Sequence, residues 1–305
     1  MKVGIFFGGP GDVEGQVQAA VDAEKDGFDS IWYGQIFNTD SLTVIAMAGP
    51  RTSRIEFGTS VIPTYPRHPV VMAQQALTVQ AATNGRFNIG IGPSHAPVVE
   101  GMWGLSYERP AVHMREYLSV LVPLVTEQRV SFRGEQYRVN QALQVPVPKP
   151  PPVLIAALAP VMLKMAGAMT AGTITWMTGP RTLETHIVPR LTKAAQEAGR
   201  PAPRVVAGLP IAVTDDPEAA RERAARSFQV YGTLPNYQRV LGIEGAGGPG
   251  GVAIAGNEAE VERRVRDVAS AGATDFLAAM FPVGDDARAS LQRTRECVRA
   301  LVGRV

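Results

Sequence analysis

The chain has 305 residues, 45% hydrophobic and 19% charged, below the ~25% charged of an average soluble domain, so it carries material for a large core and is not a disordered chain. Thirty Lys and Arg against 28 Asp and Glu leave a formal charge of +2; with no basic block, the footprint of a nucleic-acid or anionic-membrane partner is missing. One cysteine, Cys297, excludes an internal disulfide and cysteine-rich zinc or iron–sulfur centres and makes the cytoplasm the expected location.

At ~150 residues per domain the length suits two domains or one α/β barrel; the order of elements decides. Residues 3–7 read as a strand, too short an apolar run before Gly8-Gly9-Pro10 for a signal peptide. Residues 12–25 read as a helix with Val13, Val17, Ala20, Val21 and Ala23 on its apolar stripe and Gly27 closing it. Strands are predicted at 30–33, 55–62 and 86–91, with helices at 41–48, 70–82 and, after a long loop, 110–126. Between 129 and 152 the pattern breaks into pieces at 130–137 and 142–145, then Pro146, Pro148, Pro150, Pro151 and Pro152: a small hairpin and a rigid connector rather than a domain boundary. From 153 to 177 the only charge is Lys164, which imitates a membrane span, but Pro160, Gly167 and Gly172 divide it into a buried strand, helix and strand.

A strand at 205–213 precedes a segment too long for one helix. It shows helical spacing at 217–231, a further piece at 237–241, and a glycine run at 245–251 that reads as a disordered lid or a loop. Asn257 and Glu260 then resemble an N-cap and its capping carboxylate before Val261, Val265 and Val268. A strand at 274–281 and a helix at 287–302 close the chain. Eight strands with helical returns are the arithmetic of a (β/α)8 TIM barrel with insertions, one domain over 1–305, whose usual ~250 residues fit this length. A doubly wound open sheet is the runner-up.

In such a barrel the chemistry lies where strands end and helices begin. None of the five lysines sits at a strand's C-terminal end, which argues against a Schiff-base aldolase. His68, His95, His113 and His186 lack metal-ligand spacing, and the close carboxylate pair Asp215-Asp216 reads as a solvated helix start. What the loops offer is small, apolar and amide-rich: Gly58-Thr59-Ser60-Val61, Gly90-Ile91-Gly92-Pro93-Ser94-His95 and Ala156-Ala157-Leu158-Ala159-Pro160. Such loops suit a flat uncharged ring and a phosphate on a helix start, hence a cofactor that carries the reaction itself.

Pro66-Arg67-His68-Pro69, followed by Gly85-Arg86-Phe87-Asn88-Ile89-Gly90-Ile91-Gly92, resembles the luciferase-like monooxygenase superfamily of flavin- and coenzyme F420-dependent enzymes. Gly58-Thr59-Ser60-Val61 resembles its F420-dependent branch, and the likeness runs to Ile254-Ala255-Gly256-Asn257-Glu258-Ala259-Glu260-Val261 before the final strand. The resemblance implies a barrel holding the deazaflavin against a bulge in the third strand, often a non-proline cis peptide, here Ser60-Val61. It implies a cofactor site of Gln35, Ser60, Val61, Ile62, Gly92, Ser94, His95, Leu158, Ala159, Pro160 and Val161, with Met177, Thr178 and Gly179 added to the rim.

Several members of the superfamily carry an Asp-His pair after the second strand, where this chain has Gln35-Ile36; neither titrates near neutral pH. His95 as proton donor, oriented by Glu100, is the expected replacement, and a purely cofactor-bonding or loop-bonding role for His95 stands equally beside it. His68 is expected to be structural. Tyr65, Phe37, Trp103, Trp176 and Met177 are candidates for an apolar substrate wall or for core, and Arg67, Arg109 and Arg181 for contacts with a polyglutamate tail or for plain surface. The resulting expectation is an F420-dependent oxidoreductase moving a hydride between deazaflavin C5 and a small organic substrate. FMN chemistry on the same barrel is the alternative, and a non-catalytic cofactor-binding protein is the rival of another class. A cofactor-free lyase or hydrolase is disfavoured by the empty list of nucleophiles. Self-association as a homodimer is implied by resemblance alone.

Overall fold

The structure, a computed structural model, describes residues 1–8 and 11–305; Gly9 and Pro10 of the first predicted loop lie outside the described residues. β1 (Lys2–Phe7) leads into α1 (Val13–Lys25), β2 (Ser30–Tyr33) into α2 (Ser41–Ala48), and β3 (Glu56–Thr59) through a two-residue β4 (Ile62–Pro63) into α3 (Pro69–Ala82). β5 (Phe87–Gly92) is followed by α4 (Ala96–Val99), α5 (Pro110–Thr126) and the strands β6 (Arg129–Arg133) and β7 (Arg138–Ala142). Next come β8 (Val153–Ala156), α6 (Pro160–Met169), β9 (Gly172–Trp176), α7 (Pro180–Thr182), α8 (Val188–Glu197) and β10 (Arg204–Val213). α9 (Pro217–Ser227), α10 (Pro235–Glu244) and α11 (Pro249–Val252) precede β11 (Ile254–Gly256), α12 (Glu258–Ser270), β12 (Asp275–Met280) and α13 (Ala287–Ala300).

Local chemistry sets many of these starts. Asp12, Asp40, His68, Asp216, Asn257 and Asp286 each accept a backbone N–H of the first turn of α1, α2, α3, α9, α12 and α13, which satisfies donors that no helix can pair internally. His68 is therefore a structural cap. Asn257 caps α12 as expected, but the Glu260 carboxylate turns to Arg263 and does not return to the cap.

Eight parallel strands pair in the closed order β1, β2, β3, β5, β8, β9, β10, β12 and back to β1. The β9–β10 pairing closes the ring and excludes the open sheet. β11 adds to the far half of β10, pairing Ile211 with Ile254. The apparent membrane span is β8, α6 and β9, and no helix among the described residues is long and apolar enough to cross a membrane.

Alternate residues of each strand fill the barrel in layers. At the N-terminal end Arg204 forms ion pairs with Asp275 and Glu56 and donates to Asn88 at 2.9 Å. Above it lie Trp32, Leu154, Ile174, Val206 and Leu277, with Phe6 and Val61 packed against them. The opposite strand faces meet the helices in the main core.

Two inserted regions differ from their predicted limits. The hairpin turn falls at 134–137, inside the piece predicted as extended, because the Glu116 carboxylate accepts the N–H groups of Glu135, Gln136 and Tyr137 at 2.8–3.0 Å. The predicted piece at 142–145 lies mostly beyond β7; Val145 bonds through both backbone groups to the Gln128 amide instead of to a strand. After β10, helix α9 stops at Ser227 and a short turn leads to α10. The glycine run is ordered: Gly245, at φ +80°, caps α10, and Pro249 begins α11.

Candidate active site

At the C-terminal end of the barrel the third strand carries one residue more than its neighbour. Gly58 pairs with Asn88, and the next pair is Ile62 with Ile91: four steps against three, which is a β-bulge. The Ser60–Val61 peptide within it is cis, as the resemblance implies. Where the ladder is interrupted, the Thr59 hydroxyl stands in for a strand, donating to the Gly90 carbonyl at 2.8 Å and accepting the Gly90 N–H at 2.9 Å. The Ser60 N–H donates to Tyr33 O at 2.8 Å.

The bulge turns Val61 toward the barrel interior. A Cβ at Gly92 would stand 2.9 Å from Val61 Cγ2 and 3.2 Å from Ala156 Cβ, and one at Gly90 would fall on the Thr59 carbonyl. Val61, Gly92 and Ala156 thus form a low, uncharged floor that any larger side chain at Gly92 would close.

Beside this floor, α6 opens at Ala159, Pro160 and Val161 with no side-chain cap. Its first free N–H groups and the positive end of its dipole face outward, the ordinary seat of a phosphate. The Leu158 carbonyl is taken by His186 Nε2 at 2.8 Å, which holds the loop below. Across β8, Ser94 sits at φ +60° with its carbonyl accepting from the Tyr107 hydroxyl at 3.0 Å, and this presents His95 at the start of α4. Among the described residues no protein group bonds the His95 ring, and desolvation lowers its pKa below the ordinary 6.5, so the imidazole is neutral at pH 7.

The insertion between β10 and β11 covers the opening with aromatic rings. Phe6 on β1 meets Trp176 at the end of β9 with centroids 5.5 Å apart, and Phe228 and Tyr231 pack edge-on against Trp176 at 5.6 and 6.0 Å. Tyr231 meets Tyr237 of α10 at 4.9 Å, and Tyr237 meets His95 at 5.9 Å. Trp176 Nε1 is buried among them, facing the Tyr231 hydroxyl.

The family model described as luciferase-like monooxygenase matches residues 1–303. The chain belongs to the luciferase-like monooxygenase family. Among its relatives is the F420-dependent glucose-6-phosphate dehydrogenase of Nakamurella multipartita, 32% identical over 230 residues, covering 70% of this chain and 67% of the relative. In fold it is similar to the coenzyme F420-dependent tetrahydromethanopterin reductase of Methanopyrus kandleri, with TM-score 0.83, 23% identity, and 99% and 98% of the two chains covered. It is similar also to the oxygenating constituent of 3,6-diketocamphane monooxygenase of Pseudomonas putida in complex with FMN, with TM-score 0.76, 18% identity, and 100% and 97% covered.

Several residues expected at the opening of this luciferase-like barrel lie elsewhere. Gln35 Oε1 accepts both the N–H and the hydroxyl of Ser41, so it braces α2. Ile62 and Met177 are fully buried in the core between strands and helices; Met177 follows the last residue of β9 at a left-handed φ of +56° that turns it away from the face Trp176 occupies. Thr178 is buried, and Gly179 packs against the Glu244 carboxylate, which also accepts the Thr182 N–H at 2.8 Å. The protein's own carboxylate thereby occupies that helix start. Glu100 accepts the Tyr107 N–H at 3.2 Å rather than orienting His95, because α4 places the two at opposite ends of one turn.

Of the expected aromatic wall, Trp176 alone is in this ring stack. Tyr65 stacks on His113 at 3.9 Å, Phe37 is 65% exposed, and Trp103 is partly exposed in the loop after α4. Arg67 and Arg109 are paired with Asp40 and Glu135, while Arg181 is exposed on α7. Sequence reasoning missed Phe6, Phe228, Tyr231 and Tyr237; Phe6 lies within the first apolar strand, and the only advance signal of the other three is an aromatic spacing within a long insertion.

Proposed function

We propose that this luciferase-like enzyme binds coenzyme F420 at the barrel opening and exchanges a hydride between it and a small organic substrate, with His95 handling the proton. The observation that carries the reading is the flat floor of Val61, Gly92 and Ala156 beside the uncapped start of α6: one seat for a planar ring, one for a phosphate. The F420-dependent relatives support the choice of cofactor. When bound, the deazaflavin supplies the two-electron hydride chemistry at C5.

The chain's own residues do the rest. Val61 and Gly92 support one ring face, the N–H groups of Val161 and Met162 hold the phosphate, and Ser94 fixes the loop that carries His95. Trp176, Phe228, Tyr231 and Tyr237 keep water from the ring. Burial disfavours the imidazolium, so His95 is present as the base that takes the hydroxyl proton of an alcohol as its carbon is oxidised. His95→Asn is expected to lower kcat by about 10²–10⁴-fold while the F420 dissociation constant is unchanged. In the oxidising direction kcat falls on the acid side, where the imidazole gains its proton, with the His95 pKa held below the ordinary 6.5 by burial; an acid limb of the pH–rate profile that is unchanged in His95→Asn would rule His95 out.

The test of the whole reading is titration of the purified protein with F420 and, separately, FMN, followed by fluorescence. F420 binding with weak or no FMN binding is expected. Tight FMN binding alone favours the second reading, flavin-dependent oxygenation, which the fold likeness to an FMN-bound monooxygenase supports. Cofactor binding without turnover on any alcohol or ketone favours a binding protein.

A further inference from the structure

Resting on the F420 reading, we infer that His186 is a positioning residue for the cofactor: carried on a π-helical turn, it aims the Ala159 N–H at the start of α6, so that this amide joins those of Val161 and Met162 on the phosphate. His186 is buried, and its Nε2–H donates to the Leu158 carbonyl at 2.8 Å. The Leu158–Ala159 peptide is trans; among the described residues the cis bond is at Ser60–Val61. A trans peptide holds its carbonyl and its N–H on opposite sides, so fixing the first on His186 turns the second the other way. Among the described residues the Ala159 N–H has no backbone partner. Ala159 is the N-cap of α6 and Pro160 has no N–H, which leaves Val161 and Met162 as the next donors. Without the His186 bond the Leu158–Ala159 peptide is free to rotate and its donor leaves the anion seat.

The wide turn is what delivers the imidazole. α7 and α8 are joined by Leu183–Ile187, which runs as a π-helix, and the Val188 N–H donates back to the Leu183 carbonyl. Such turns are rare and recur at functional sites. Here the turn is propped from outside: the Arg190 guanidinium donates to the Thr185 and His186 carbonyls at 3.3 and 3.0 Å. One extra residue in a turn rotates the side chains on one side of it by about 100° against those on the other. The π turn therefore lets His186 face Leu158 while Leu191, Ala194 and Ala195 stay buried on α8. It joins two segments of the chain behind the phosphate seat without lining the opening.

The test is fluorescence titration of wild type, His186→Leu and His186→Gln with F420 and with its phosphate-free deazaflavin chromophore. Losing one hydrogen bond to a charged group, His186→Leu is expected to bind F420 about tenfold more weakly and the phosphate-free compound less than about twofold more weakly. His186→Gln keeps an N–H within reach of Leu158 and is expected to stay within about threefold of wild type for both. An equal loss of both ligands in His186→Leu, or no loss of F420, overturns the inference. Should His186→Leu fail to fold, the wild type decides. In amide NMR of the cofactor-free protein titrated with inorganic phosphate, the Ala159 resonance is expected to shift together with those of Val161 and Met162; an Ala159 resonance that stays in place overturns the inference. If FMN binds and F420 does not, the F420 reading fails, while FMN against riboflavin in the same variants still decides the role of His186. If neither binds, that reading fails and the phosphate titration decides.

Discussion

Twice in this barrel three consecutive backbone N–H groups converge on one carboxylate: Ser53, Arg54 and Ile55 on Glu24, and Glu135, Gln136 and Tyr137 on Glu116. Burial alone raises each carboxyl pKa, but the N–H bonds outweigh it and hold both below the ordinary value, Glu24 down to about 2 from 4.5. A depressed folded-state pKa stabilises the fold above the unfolded value and loses that stabilisation as pH falls through the folded one. Glu24→Gln is therefore expected to lower Tm at pH 7, and the gap to wild type should close between about pH 4.5 and about pH 2. A pH-independent gap in scanning calorimetry would contradict this. At Gly90 the limit is steric: an alanine methyl would meet the Thr59 carbonyl and Ile174, so Gly90→Ala should destabilise by about 1–3 kcal/mol in urea unfolding and disturb the bulge under the cofactor ring.

At the scale of elements, helix α6 and the β10–β11 insertion divide the work at the opening. The start of α6 is free to receive an anion, whereas the start of α7 is closed by Glu244 from the end of α10. Val161→Asp puts a negative charge at the free start, satisfies the helix from within and should weaken F420 binding at least tenfold in fluorescence titration, an effect that added salt reduces. α6 is legible in the sequence because Pro160 and Gly172 punctuate an otherwise apolar run. The capture of α7 by Glu244 is not, because it joins residues more than sixty apart through a contact with no local signal.

The whole molecule is held open at one end and plugged at the other. Arg204 meets Asp275, Glu56 and Asn88 from three other strands and lies over the Trp32 ring at 5.9 Å, so the charged layer ties the ring together opposite the opening. Arg204→Ala leaves Asp275, 2% exposed, without its partner and is expected to cost about 3–5 kcal/mol in urea unfolding, with a similar loss of stability whether or not F420 is bound. All eight barrel strands are legible as apolar runs, since each is buried on both faces and must be apolar on both. The predicted third strand at 55–62 is in fact broken at the bulge, which hydrophobic pattern cannot show because the extra residue leaves the run apolar.

Composition, strand periodicity and helix punctuation by themselves determined an α/β barrel with small, apolar, amide-rich loops at its opening, because those properties depend on neighbours within a few residues. Which side chains share that opening was decided only by the closed ring and its insertion. The inward turn of Trp176, the outward turn of Met177 and the arrival of Tyr237 over His95 are consequences of strand register and of packing between segments far apart along the chain. No local preference encodes either.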